Sequence, residues 1–256
     1  MVATDPLAPL LDLPGVSGAV DAARESVDRL LSHRVLRHAS ARVSAESAMR
    51  GARASAELEG RGVSLADVRA GRVEDPVLNG ALRVTGEVGS LVETWQLAPR
   101  QTLARMHLLA ARDLVGDPLE LGRPIAAGPV SARLDQLAEV LVGPDGRRST
   151  KVPAVVVGAV VHGEIMALQP FPQGTGLVAR AAERLTLVAR GLDPKSLVIP
   201  ELGHLEAGGA QTYRLRARGF AEGSPEGVAA WLLHCCEAVS LGAREATAIC
   251  ESIQRG

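Results

Sequence analysis

The segment with the most chemical content reads Leu168-Gln169-Pro170-Phe171-Pro172-Gln173-Gly174-Thr175-Gly176-Leu177-Val178-Ala179-Arg180. Its composition predicts a helix that stops at Pro170, a glycine-spaced loop, and an Ala-rich helix that resumes through Arg180 and Leu185. A loop at a helix N-terminus can hold an anion, because free backbone N–H groups and the positive end of the helix dipole both face it. Taken alone, Gly-x-Gly is a weak signal that a plain turn explains better. Other chemical templates are incomplete. His162-Gly163-Glu164 matches the first half of a zinc-deaminase signature, but no Pro-Cys-x-x-Cys follows. His204 and Glu206 stand beside Gly208-Gly209 and read as an isolated loop without the further ligands a metal needs. Cys235 falls on an apolar helix face as a small core residue, with Cys236 as its less constrained neighbour.

Several elements must position that loop. Residues 20–54 predict one helix, or two in line, with Val27, Leu30, Leu31 and Val35 on one face and Arg34, Arg37 and Arg42 elsewhere. Glu46, Glu57 and Glu59 follow closely, so the basic face reads as solvated surface. Ser64 with Asp67 forms a capping box that starts a short helix, and Gly71 ends it. Leu103, Met106, Ala110 and Leu114 mark one helix; Val130, Leu134, Leu137, Ala138 and Leu141 mark another. Between them, residues 117–129 hold Gly122, Pro124, Gly128 and Pro129 and read as a loop or small hairpin. Gly143-Pro144-Asp145-Gly146 is a second break, with Arg147, Arg148, Ser149 and Thr150 exposed after it. The stretch 152–168 fits two assignments: its Val155-Val156-Val157 run favours a buried strand, its length a buried helix. Ser224 before Pro225 is a helix start, and Val228, Trp231, Leu232, Cys235 and Val239 then share one face.

Composition narrows the class. Of 256 residues, 46% are hydrophobic and 22% charged, with a net charge of -1, which describes a globular chain with no bias toward nucleic acid or anionic membrane. Aromatics are Trp95, Phe171, Tyr213, Phe220 and Trp231 alone, 2% of the chain. A core of Ala, Val and Leu favours closely packed helices over a β-sandwich. It also argues against single-stranded nucleic-acid binding, which needs stacking platforms. Three cysteines, two of them adjacent, make no disulfide framework and suit a reducing cytoplasm. The start, Met1-Val2-Ala3-Thr4-Asp5-Pro6, lacks the basic and apolar regions of a signal peptide, and 152–168 is too short and polar to span a bilayer. No repeat or linker divides the chain, so it reads as one mostly helical domain over 1–256.

The loop segment resembles a degenerate form of the Fic (Fido) signature, His-Pro-Phe-x-(Asp/Glu)-Gly-Asn-Gly-Arg-x-x-Arg, with His162 seven residues upstream as in many members. About 110 residues earlier, Ser55-Ala56-Glu57-Leu58-Glu59-Gly60 is similar to the family's inhibitory-helix motif: Ser or Thr, three residues, Glu, then Gly or Asn. Val63 to Val68 and the stretch from Tyr213 through Trp231 to Val239 also resemble family segments. The resemblance implies a mostly α Fic/Fido-type fold with a small β-hairpin flap at 122–128. It further implies N-terminal helices at about 15–60, a core at about 100–190 and C-terminal helices at about 210–256.

Family members transfer AMP or a related phosphate-containing group to a hydroxyl, a chemistry of positioning and charge stabilisation. By resemblance, Pro170, Phe171, Gly174, Gly176 and Arg180 are retained. Gln169 stands for the general-base His, Gln173 for the metal-binding acid, Thr175 for the Asn of the anion hole and Leu177 for the first phosphate Arg. An amide cannot take a proton near neutral pH, and loss of a general base costs on the order of 10²- to 10⁴-fold. His162 lies about two helical turns away, roughly 10 Å, and cannot stand in; it reads as a buried, hydrogen-bonded helix residue. No catalytic residue is therefore expected, and Mg²⁺ loses its anchor. The phosphate loop would be Gly174, Thr175, Gly176 and Arg180, and the inhibitory or latch motif Ser55, Glu59 and Gly60. Glu59 and Arg180 are expected to form a partly buried ion pair. The leading reading is a cytoplasmic pseudoenzyme that binds a nucleotide, another small phosphorylated ligand or a protein partner, with nucleic acid and membrane disfavoured. The alternative is a nucleotide-dependent transferase with an altered catalytic site.

Overall fold

The stretch with two sequence assignments resolves as a helix. Pro153 occupies its N-cap, and residues Ala154–Leu168 form α8, in which Val155 through Gly163 are buried without a break. A helix apolar all round is one enclosed by others, and that is its place here. After a six-residue loop, α9 (Thr175–Ala189) is buried continuously from Thr175 to Leu187, so α8 and α9 form the central helical hairpin. The computed structural model describes residues 5–125, 128–143 and 150–255.

Around this hairpin run α1 (Val16–Leu31), α2 (Leu36–Leu58), α3 (Leu65–Arg69), α4 (Pro76–Gly86), α5 (Val92–Leu97), α6 (Pro99–Ala111) and α7 (Gly128–Leu141). The chain closes with α10 (Pro200–Glu206), α11 (Gly209–Glu222) and the 31-residue α12 (Pro225–Arg255). The expected continuous or in-line helix at 20–54 is two helices, α1 and α2, broken at 32–35, and α2 itself kinks at Ala39. The caps work as the sequence predicts: Ser64 Oγ accepts from the Asp67 N–H, and Ser224 Oγ accepts from the Gly227 N–H. Helix α6 ends at Ala111, so Leu114 lies just beyond the helix it was expected to join.

Among the described residues there is no strand. The flap region 117–125 carries a 3-10 turn at Pro118–Glu120, started by Asp117, instead of a hairpin. Pro118 and Pro124 lack the N–H groups that a ladder needs. Part of the expected flap, 126–127, and residues 144–149 of the second break lie outside the described residues; Thr150, expected to be exposed, is instead buried and donates its hydroxyl to Asp5 Oδ2 at 2.9 Å.

The scarcity of aromatics is matched by close helix contacts. A methyl group on Gly203 of α10 would sit 1.9 Å from the Ala238 carbonyl oxygen of α12, and one on Gly80 of α4 would sit 2.0 Å from the Ala110 carbonyl oxygen of α6. Small residues let these backbones touch, so the core fills with Ala and Val. Trp231, the largest fully buried side chain among the described residues, donates its indole N–H to the Ala159 carbonyl at 2.8 Å. Among the described residues, no helix is long and apolar enough to cross a membrane.

Candidate functional site

Gln169 caps α8 in the left-handed conformation, with φ 44°, and its exposed side chain donates to the Met166 carbonyl at 2.7 Å. The chain then turns inward. Pro170 and Phe171 are buried, whereas Pro172 and Gln173 are exposed. Gly174, with φ 75°, supplies the N-cap of α9, a conformation that glycine adopts without steric penalty. Thr175 points back into the loop: its hydroxyl accepts from the Phe171 N–H at 3.3 Å and donates to the Phe171 carbonyl at 3.0 Å. Leu177, in the position the resemblance gives to an arginine, is 1% exposed and belongs to the core.

His107 of α6, which sequence reasoning passed over, locks this loop. Its Nδ1 accepts from the Gly122 N–H at 2.9 Å, which leaves Nε2–H to donate to the Gln173 carbonyl at 3.0 Å. The ring stacks on Phe171, with centroids 4.0 Å apart and planes 6° from parallel. Burial holds His107 below the ordinary imidazole value, against the opposing pull of its bond to Gln173. Ile125 N–H donates to the Pro170 carbonyl at 2.8 Å, so the flap segment rests on the loop.

On the other side, the C-terminal turn of α2 reaches the first turns of α9. Arg180 is 1% exposed and spends its guanidinium on four bonds. Nε donates to Ser55 Oγ at 2.8 Å, Nη2 to the Ser55 carbonyl at 3.1 Å and to Glu59 Oε1 at 2.7 Å, and Nη1 to the Tyr213 hydroxyl at 3.1 Å. Burial works against its charge, but Tyr213 and Glu59 outweigh burial and hold Arg180 above its ordinary value. The Glu59 carboxylate is 36% exposed, so the pair is half-buried. A methyl group on Gly176 would meet Glu59 Oε1 at 2.1 Å, which places the carboxylate directly over the start of α9. Gly60, with φ 85°, turns the chain away just after it. Arg214 of α11 donates to the Leu58 carbonyl at 2.9 Å, so two arginines bond carbonyls in the last turn of α2.

Behind the loop lies a buried polar cluster. His162 Nδ1 and His204 Nε2 both bond Glu183 Oε2, at 2.7 and 2.9 Å. The expectation for His162, a buried hydrogen-bonded helix residue, matches the geometry. The reading of His204 as part of an isolated loop is corrected: α10 carries it, fully buried, onto Glu183, because Pro200 at the first helical position starts a helix there. Cys235 joins the same cluster, and Cys236, expected to be less constrained, is 1% exposed and equally enclosed.

No family model and no curated protein matches the chain. Solved structures do. The chain is 20% identical to a Fic family protein from Desulfovibrio desulfuricans G20, with a TM-score of 0.70 over 92% of this chain and 75% of that one. It is 14% identical to a fragment of Fic-1 from C. elegans, with a TM-score of 0.69 over 95% of this chain and 75% of that one. A second structure of that fragment, with a point substitution, gives 16% identity and a TM-score of 0.66 over 95% and 74% of the two chains.

Proposed function

We propose, taking as premise that this chain has the Fic fold, that it works as a pseudoenzyme: a binding or regulatory module that retains the fold's anion-loop shape without its transfer chemistry. The observation that carries this reading is the Glu59 carboxylate seated over Gly176 and bonded to Arg180 at 2.7 Å. An anion brought to the α9 N-terminus would meet a negative charge there, and four of the five N–H groups of the guanidinium that would hold it are already engaged.

The surrounding groups support the same reading. Gln169 and Gln173 offer exposed amides, which neither accept a proton near neutral pH nor carry the charge that draws Mg²⁺. The loop therefore does not fit that ion. His107 and His162 are buried with both ring nitrogens hydrogen-bonded, so neither stands ready as a base. Arg180 and the backbone of Gly174, Thr175 and Gly176 would hold a phosphate only after Glu59 moves aside. Ligand binding and displacement of the α2 end are thus one event, which gives a binding module a way to signal.

The test is a thermal-shift panel of ATP, ADP, GTP and CDP-choline, with and without Mg²⁺, run beside labelling by α-phosphate-tagged ATP. A shift without labelling, enlarged by Glu59→Gly, is the expected result. Labelling that disappears in Arg180→Ala would establish a transferase with an altered site and overturn the pseudoenzyme.

A further inference from the structure

Four helices each deliver one buried side chain to a common point behind the loop: His162 from α8, Glu183 from α9, His204 from α10 and Cys235 from α12. Their ligating atoms all lie within 4.8 Å of one another, and none of the four residues is more than 1% exposed. Glu183 Oε2 takes both imidazole N–H groups, whereas Glu183 Oε1 is buried with no hydrogen-bond partner. That orphan carboxylate oxygen is a cost that the hydrogen-bonded network does not explain.

We propose that His162, Glu183, His204 and Cys235 form a structural site for Zn²⁺. Two imidazoles, one carboxylate and one thiolate are a donor set of the borderline-soft kind that suits Zn²⁺ and excludes Mg²⁺ and Ca²⁺. Four protein ligands, all enclosed, leave no open position for water, which marks the site as structural and separates it from any chemistry at the loop. The outer partners are already in place: Tyr213 OH lies 2.8 Å from His162 Nε2, and His234 Nε2 lies 3.1 Å from His204 Nδ1. Each holds one ring nitrogen so that the other faces the centre.

Loading follows a simple balance. Each imidazole stays neutral and moves its proton to the outer nitrogen, Tyr213 turning its hydroxyl to accept and His234 shifting its own proton to Nδ1, which frees His162 Nδ1 and His204 Nε2 for the metal. Cys235 loses its thiol proton to solvent, so one proton leaves per ion bound. Carboxylate and thiolate then cancel the dipositive charge, and the interior holds a neutral unit where it now holds a lone carboxylate. A tetrahedron with bonds of about 2.0–2.3 Å sets its ligand atoms roughly 3.3–3.8 Å apart. To admit the ion, the 2.7 and 2.9 Å contacts widen by roughly 0.5 Å and the wider separations, up to 4.8 Å, close by about 1 Å. Because burial and the Glu183 charge push the Cys235 thiol up, its ionisation depends on the metal.

The test refolds the full chain from denaturant in metal-free buffer with Co²⁺, then adds Zn²⁺. Expected are one Co²⁺ per chain, a thiolate-to-cobalt absorption band, tetrahedral visible bands that Zn²⁺ abolishes, one proton released per ion, and a higher Tm. Cys235→Ser should fold but lose the thiolate band, whereas Cys236→Ser should keep it. If wild type takes up no stoichiometric Co²⁺, or Cys235→Ser gives the wild-type spectrum, the cluster is a hydrogen-bonded histidine network only and the proposal is overturned.

Discussion

Arg180 and Glu59 are separated by 121 residues in sequence, yet their juxtaposition was legible, because two short motifs named both positions before any geometry was known. The inward turn of Thr175 and the burial of Leu177 were not. Side-chain direction in a loop depends on what packs behind it, here α6, and His107 looked like any histidine on an apolar helix until Phe171 and Gly122 closed on it. At this scale the clearest prediction concerns Glu59→Gly. Removing the carboxylate leaves a buried guanidinium short of its counter-charge, while half-exposure of the pair limits the loss, so unfolding free energy should fall by about 1–3 kcal/mol. Urea denaturation measures it. No nucleotide labelling should accompany the loss, since Gln169 remains an amide.

Helices α2 and α9 are coupled where Arg180 holds Ser55 and Glu59, with Gly176 beneath the carboxylate. Gly176→Ala directs a methyl group at Glu59 Oε1 and, the carboxylate being the far end of a flexible side chain, should push it off Arg180. Its cost should resemble that of Glu59→Gly, and the double variant should lose less than the sum, with a coupling of about 0.5–3 kcal/mol in a double-mutant cycle. Strict additivity would show that Gly176 and Glu59 act independently. Helix starts and stops at this scale were largely readable, since Ser64, Pro225 and Gly174 act through local chemistry. The assignment of 152–168 was not, because periodicity cannot separate a buried strand from a helix surrounded on all sides, and only the neighbours decide.

Across the whole molecule, the buried histidines make the stability of the metal-free chain depend on pH. Burial, opposed by Glu183, lowers His162 to about 4, and burial together with His204 lowers His234 to about 3. Burial alone would raise Glu183, but His204 and His162 outweigh it and hold it below its ordinary value. Between pH 6.5 and 4 the unfolded chain binds more protons than the native one, so stability present at neutral pH is lost as the pH falls. For His162 alone the loss is about 3 kcal/mol. Denaturant titrations of the metal-free chain at constant ionic strength should show the fall, with a shallower slope in His234→Gln. A flat profile would contradict the neutral, enclosed state of these rings. None of this was readable in the chain, because the cluster exists only once four distant helices have met.

Trp231 turns that enclosure into an optical signal. Its indole lies edge-on to His162 at 5.0 Å and stacks with His234 at 5.9 Å, whereas the other tryptophan, Trp95, packs elsewhere in the core. Protonated imidazole quenches indole fluorescence on contact. In a Trp95→Phe background the remaining emission should dim as the rings charge, while a red shift marks exposure to water, so a single chromophore reads out both proton entry and unfolding.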